Sequence, residues 1–211
     1  MWSQGTKLTV AAKSVDISEK STVQMFQYLR EVCSTKLIQT PAQLGGPGVV
    51  VQIDESNSTL RLNTTVEGEL KRKMNSGYLD TLFKPAITNM ELVPKRNKET
   101  LLPIIQRIVK QGSIVYSDQW RAYNKIQDEL NLEHDVVNHS LNVVDPETGV
   151  HTQTKESYWA KAKYKLKEMK GVSSDALPSY LDERMWRDRW ARTGEDAFMN
   201  IIVQIAEQYE V

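Results

Sequence analysis

Apolar positions along the chain follow two rhythms. An apolar, β-branched run at 49–53 predicts a strand buried on both faces, and 87–93 and 113–117 read as further strands. A further short strand is expected at 134–139. The other rhythm is helical. Val23, Phe26, Leu29, Arg30 and Cys33 recur on one face of residues 18–37 behind a Ser/Thr start. Leu101, Leu102, Ile105 and Ile108 do the same over 98–110, with Pro103 assigned to the first turn, where its missing N–H costs nothing. Helices are also expected at 121–130, at 153–169 with Trp159, Ala162, Leu166 and Met169 inward, at 180–190 and at 195–209. The last carries Phe198, Ile201, Ile202 and Ile205 on one side.

Punctuation divides the chain. Pro41, Gly45, Gly46, Pro47 and Gly48 mark a linker over 41–48. Before it, residues 8–15 and the helix that follows have the order of a helix-turn-helix, with too few residues upstream for a complete three-helix unit. Residues 57–70 alternate loosely, as an irregular hairpin does, and lead to a basic turn, Lys71-Arg72-Lys73-Met74-Asn75-Ser76-Gly77. The expected organisation is a helical segment (1–40), the linker, one central domain (49–172), and C-terminal helices packed on it (173–211).

Composition narrows the class. With 211 residues, 40% hydrophobic, 26% charged and no formal net charge, the chain suits a soluble folded protein with one core. Net charge says nothing of partners, but its distribution does: Lys155, Lys161, Lys163, Lys165, Lys167 and Lys170 crowd one segment. Nucleic acid suits such a stripe; a solvated helix face is the plain alternative. A single cysteine, Cys33, allows no internal disulfide and reads as a small core residue. With no signal-like start and no membrane-length apolar run, an intracellular setting is expected, and the sequons at Asn57, Asn63 and Asn138 carry no weight.

The candidate chemistry lies in three acids. Asp54 closes the run Val49-Val50-Val51-Gln52-Ile53, Asp118 closes Ser113-Ile114-Val115-Tyr116-Ser117, and Glu156 lies one turn before Trp159 on the lysine-rich helix. Carboxylates at a sheet rim are hard oxygen ligands that a divalent cation and a phosphate can both reach, and phosphodiester cleavage by two metals needs such ligands around cations about 3.5–4 Å apart. Each acid alone is as well explained as a turn, cap or solvated residue. The set is more specific, because strand with Asp, strand and helix, strand with Asp, helix and strand, then helix with Glu is the element order of a ribonuclease-H-like α/β fold, a mixed sheet flanked by helices. His139 and His151 suit hydrogen bonding better than Mg²⁺. Trp120, Tyr123, Trp186 and Trp190 are expected in the core. Lys71, Arg72 and Lys73 suit phosphate contact or a solvated turn equally.

Five segments in order carry a resemblance: Gln52-Ile53-Asp54-Glu55-Ser56, Glu99-Thr100-Leu101-Leu102-Pro103-Ile104-Ile105, Tyr116-Ser117-Asp118-Gln119-Trp120-Arg121-Ala122-Tyr123, Val137-Asn138-His139-Ser140, and His151-Thr152-Gln153-Thr154-Lys155-Glu156-Ser157-Tyr158-Trp159. Together they resemble the insertion-sequence-type DDE transposases related to the Merlin transposons, with an ISXO2-like transposase domain. The resemblance implies metal-dependent cleavage and strand transfer of DNA, with Asp54, Asp118 and Glu156 as catalytic metal ligands and Mg²⁺ as cofactor, Mn²⁺ substituting. It also implies transposon-end and target DNA as partners, for which Lys71, Arg72, Lys73, Gln153, Lys155, Lys161 and Lys163 are the candidate contacts read from the charge pattern. A homo-oligomer when active, no membrane, and a nuclear location in a eukaryote (cytoplasmic otherwise) complete the expectation.

The chain departs from that pattern in three places. Gln153 and Lys155 replace an Asn and an aliphatic residue beside Glu156. Extra sequence separates Ser56 from Lys71, and Tyr78-Leu79-Asp80-Thr81-Leu82-Phe83-Lys84-Pro85 stands where an aromatic, Gly-rich second strand belongs, which predicts a loosened support for Asp54. The N-terminal region is short. A decayed or non-autonomous copy, or a non-catalytic DNA-binding protein derived from a transposase, is the alternative these departures leave open.

Overall fold

The computed structural model describes residues 1–57, 77–83, 87–136, 164, 166, 168, 169 and 171–209. These divide into two compact units, Met1–Pro41 with Pro178–Val211, and Ala42–Leu177.

The second unit holds a five-stranded sheet of β1 (Val50–Asn57), β2 (Gly77–Phe83), β3 (Ile87–Val93), β4 (Ile114–Ser117) and β5 (Glu133–Val136). Strand order is β3-β2-β1-β4-β5. The first three strands form an antiparallel meander, while β4 lies parallel to β1 and β5 parallel to β4. This mixed sheet with flanking helices is ribonuclease-H-like. Residues 77–83 do form the second strand, pairing through Gly77–Phe83 with β1 on one side and β3 on the other. The second strand is thus present without the aromatic, Gly-rich pattern, and its ladder spans Asp54.

Two helices, α1 (Leu8–Ser14) and α2 (Glu19–Gln39), precede the sheet. Between β3 and β4 runs α3 (Lys98–Ile108), whose Leu101, Leu102, Ile105 and Ile108 are buried against Val51, Ile53 and Val115 of the sheet. Each such side chain contributes roughly 1.5–3 kcal/mol on burial, so this face anchors β1 to β4. Pro103 is the sixth residue of α3, not part of its first turn. It is exposed, so the carbonyl that loses its helical donor faces water, which limits the cost. The stretch expected as one helix at 121–130 is a 3₁₀ turn, Arg121–Tyr123, followed by α4 (Ile126–Leu130). Tyr123, Ile126, Leu130 and Leu132 extend the same core.

The expectation that β1 is buried on both faces also needs correcting. Val51 and Ile53 are fully covered, whereas Gln52 and Asp54 on the alternate face are half-buried. A period of two governs, with Val51 and Ile53 on the side packed against α3. Of the long helix expected at 153–169, Tyr164, Leu166 and Glu168 are described as helical and Leu166 is buried. Of the expected hairpin over 57–70 and turn over 71–77, Asn57 ends β1 and Gly77 begins β2, and the rest, like the loop at 145–149, lies outside the described residues.

In the first unit, α2 packs with α5 (Leu177–Trp190) and α6 (Gly194–Tyr209) around Trp2, Val32, Cys33, Trp186, Ala197 and Ile201. Ser18 caps α2 by accepting the Ser21 N–H at 3.0 Å. Arg187 ties the chain's start to α5: its guanidinium donates to the carbonyls of Trp2 (2.7 Å) and Ser3 (3.1 Å) and pairs with Glu183 at 2.9 Å. It also lies over the Trp2 ring, 4.2 Å from its centroid. Val23, expected on the buried face of α2, is exposed, and Thr22 takes the buried place. Phe198 and Ile202, expected inward on α6, are exposed as well; Ala197, Ile201 and Gln204 face the core. Gln204 belongs there because its side-chain oxygen accepts the Trp186 indole N–H at 2.6 Å.

Candidate active site

Strand register brings the first two acids together. β1 and β4 pair in parallel through Val50↔Ile114, Val51↔Val115 and Gln52↔Tyr116. The same offset carried past Gln52 sets Asp54 level with Asp118. Neighbouring strands lie about 4.8 Å apart, a spacing at which two carboxylates on one face can share hard cations. Both acids alternate away from the packed face: Val51, Ile53, Val115 and Ser117 are buried beneath the sheet, while Asp54 and Asp118 are half-buried.

Asp54 does not end its strand. β1 continues to Asn57 because β2 pairs with it beyond the point where β4 stops. Asp54 is thus at the rim only on the β4 side, and in backbone register Asp80 of β2 stands across from it on the other. Asp80 was not singled out from sequence, since an isolated acid in an ambiguous stretch has no distinguishing pattern; only pairing shows its level.

Asp118 is fixed by its surroundings. One carboxylate oxygen, Oδ1, accepts the Trp120 backbone N–H at 3.0 Å, an Asx turn that holds the side chain as the chain leaves β4. An ionised carboxylate has about four lone-pair sites, so one turn bond leaves it able to bind a cation. The Asp118 carbonyl accepts from the Ser117 hydroxyl at 2.8 Å. Ser117 in turn lies 2.8 Å from Nε2 of His134 on β5. Burial pushes the His134 imidazole below its ordinary pKa, with Asp135 opposing, so the ring is held towards its neutral form.

Trp120 is not the core aromatic expected. The residue is 39% exposed beyond the end of β4, its indole N–H donates to the Arg96 carbonyl at 3.3 Å, and the Arg96 guanidinium lies 5.2 Å from the ring centroid. Tyr123 and Trp186 are fully buried as expected, and Trp190 packs against its core as a partly buried residue. Cys33 is buried too, its thiol pushed well up the pKa scale, first by desolvation and then by the Glu183 charge. An unreactive core thiol is the result.

Glu156, the third expected ligand, lies outside the described residues, as do Lys71, Arg72, Lys73, Gln153, Lys155, Lys161, Lys163, His139, His151 and Trp159. Among the described residues no three acidic, His or Cys side chains gather closely enough to hold a metal ion. Two hard carboxylates at one level nonetheless fit a divalent cation by donor chemistry.

Comparison with known proteins accords with this geometry. The ISXO2-like transposase domain matches residues 51–188, more than half of the 211-residue chain and inclusive of both aspartates. An uncharacterized transposase-like protein of Haemophilus influenzae is 33% identical over 96 residues, covering 46% of this chain and 76% of that protein. Among solved structures, a chain of a pre-cleavage Mos1 transpososome overlaps 94% of this chain and 74% of its own length at 10% identity; the TM-score of 0.37 lends no weight to any detail of the site. The chain belongs to the ISXO2-like transposase domain family, and its function is that of a DDE transposase or a derivative of one. Enzymes of this class generally use a divalent metal. No helix among the described residues is long and apolar enough to cross a membrane.

Proposed function

We propose that this chain is the catalytic part of a DDE-type DNA transposase and that Asp54, Asp118 and Glu156 are its metal-binding triad. The observation that supports the reading is the parallel β1–β4 register, whose last pair is Gln52↔Tyr116 and whose offset, carried two residues further, sets Asp54 level with Asp118. Mg²⁺, or Mn²⁺ in its place, would supply Lewis-acid stabilisation of the leaving oxygen and a nucleophile of lowered pKa. The protein's own contribution is positioning: two strands fixed on α3 hold two carboxylates, and the Asx turn at Asp118 limits their rotation. In cleavage a water oxygen bonds to phosphorus as the ester P–O bond breaks, leaving a 3′-hydroxyl. In joining that hydroxyl attacks a target phosphate and displaces its 3′-oxygen. Glu156 would complete the ligand set from the helix expected at 153–169.

Lys71, Arg72, Lys73, Gln153, Lys155, Lys161 and Lys163 are proposed to contact transposon-end and target DNA, chiefly at phosphates. A homo-oligomer is the proposed working form, in the nucleus of a eukaryotic host. The deciding experiment is Mg²⁺- or Mn²⁺-dependent nicking of supercoiled plasmid by this chain and by Asp118→Ala. Nicking that requires Asp118 is expected. Equal nicking by both, or none by either, overturns the enzymatic reading. DNA binding that weakens steeply with salt but without nicking would mark a non-catalytic, transposase-derived DNA-binding protein.

A further inference from the structure

The site contains a support that the nucleic-acid chemistry alone does not explain. We propose that His134 is a positioning residue for Asp118, acting through the Ser117 hydroxyl on the Asp118 backbone carbonyl; the inference rests on Asp118 being a metal ligand.

A serine hydroxyl has one proton, and the Ser117 Oγ proton is directed at the Asp118 carbonyl at 2.8 Å. His134 Nε2, at 2.8 Å from the same oxygen, must then be the donor, which specifies the Nε2–H tautomer for a neutral ring. Ser117 is 1% exposed, so no water competes for the hydroxyl. The β4–β5 register ends at Ser117↔Val136, and Asp118 is the first residue past that ladder. Its peptide is therefore held by side chains: Ser117 and His134 from the packed face, and the Asp118 carboxylate itself through the Trp120 N–H on the other side. Removing the His134 donor frees the serine hydroxyl to rotate, and a freed carbonyl lets the Asx turn tilt the carboxylate away from the level of Asp54. Groups hydrogen-bonded directly to a metal ligand typically change affinity 10–100-fold, and His134 acts one step further out, which places its effect at the low end of that range.

The test compares wild type, His134→Met, His134→Gln, Ser117→Ala and the Ser117→Ala/His134→Met double variant. The first readout is the Trp120 backbone amide by ¹⁵N NMR, in its chemical shift and hydrogen exchange; the second is Mn²⁺ affinity by calorimetry. Both His134→Met and Ser117→Ala should shift and deprotect the Trp120 amide and weaken Mn²⁺ binding about tenfold. The double variant should be no worse than either single one, because both break the same relay. Gln, which retains an N–H at similar reach, should restore most of both signals. An undisturbed Trp120 amide in His134→Met, additive losses in the double variant, or failure of Gln to rescue overturns the proposal. If the amide responds as expected but Mn²⁺ binds neither wild type nor variants, the positioning role stands and the metal-ligand reading of Asp118 is the one that fails.

Discussion

Gln52 of β1 pairs with Tyr116 of β4 at the last rung of the parallel ladder, and the same offset carried two residues further sets Asp54 level with Asp118, just beyond β4. Like charges side by side repel, and a divalent cation reverses the sign of that interaction. Asp54→Asn and Asp118→Asn should each therefore raise the metal-free melting temperature slightly. Wild type should gain stability with added Mn²⁺, as any ligand of the native state provides, and the variants should gain much less. Nicking by either variant should fall by at least about a hundredfold, since even outer partners of a metal cost 10–100-fold. Thermal melts with and without Mn²⁺, beside the plasmid assay, check this.

His134 sets a stability limit on the acid side. Burial lowers its native pKa below the ordinary value of 6.5, so the unfolded chain binds the proton more readily. The resulting contribution is fully present above about pH 6.5 and is lost as pH falls through the native pKa. Between pH 7.5 and 5, His134→Gln should lose less stability than wild type in parallel urea titrations. Identical slopes would show that His134 does not govern this window.

Asp182 works with the opposite sign. Desolvation raises its pKa above the ordinary 3.8, and the Ser34 hydroxyl bond, at 2.6 Å, only partly opposes this. Its contribution is present below the ordinary value and is lost as pH rises through the native one. Asp182→Asn, which can still accept from Ser34, should be at least as stable as wild type at pH 7, with any advantage vanishing near pH 4. A clear loss at pH 7 would contradict the burial argument.

Arg187 should be the costliest single change in the helical unit. Arg187→Met leaves Glu183, 2% exposed, beside a lost guanidinium and frees two carbonyls at the chain's start. Breaking a buried pair from one side costs about 3–5 kcal/mol, and urea unfolding should show a loss of that order. A loss under about 1 kcal/mol would mean the pair is effectively solvated.

At Gly45 geometry decides. Its φ is +83°, and an added Cβ would lie 2.1 Å from Ser113 Oγ, the atom that accepts the Gly46 N–H. Gly48 has a similar φ of +70° but open space around it. Gly48→Ala should cost about 1–2 kcal/mol for the left-handed backbone alone, and Gly45→Ala measurably more. Equal midpoints in denaturant would refute the close approach.

Patterns tied to one element were legible in the sequence. Ile87–Val93 is a strand over the range that its apolar run implied, and the four inward residues of α3 follow from their spacing. Asp54 and Asp118 were recognisable because each follows such a run. Trp120 was misjudged, because an aromatic residue carries no mark of which side of a turn it occupies. Phe198 and Ile202 were misjudged for a related reason. A helix rich in apolar residues offers several candidate faces, and the Trp186–Gln204 bond selects one.

The sequence by itself determined four of the five strands of the described sheet, the helices α2, α3, α5 and α6, and the two aspartates that follow β-branched runs, since local periodicity and composition encode these directly. Only the tertiary structure decided that β1 runs past Asp54, that Asp54 and Asp118 share a level, that His134 reaches Ser117, and that the two ends of the chain fold as one helical unit. Each of these depends on pairing between residues far apart in the chain. Such pairing is settled by register and packed volume, which no local pattern records.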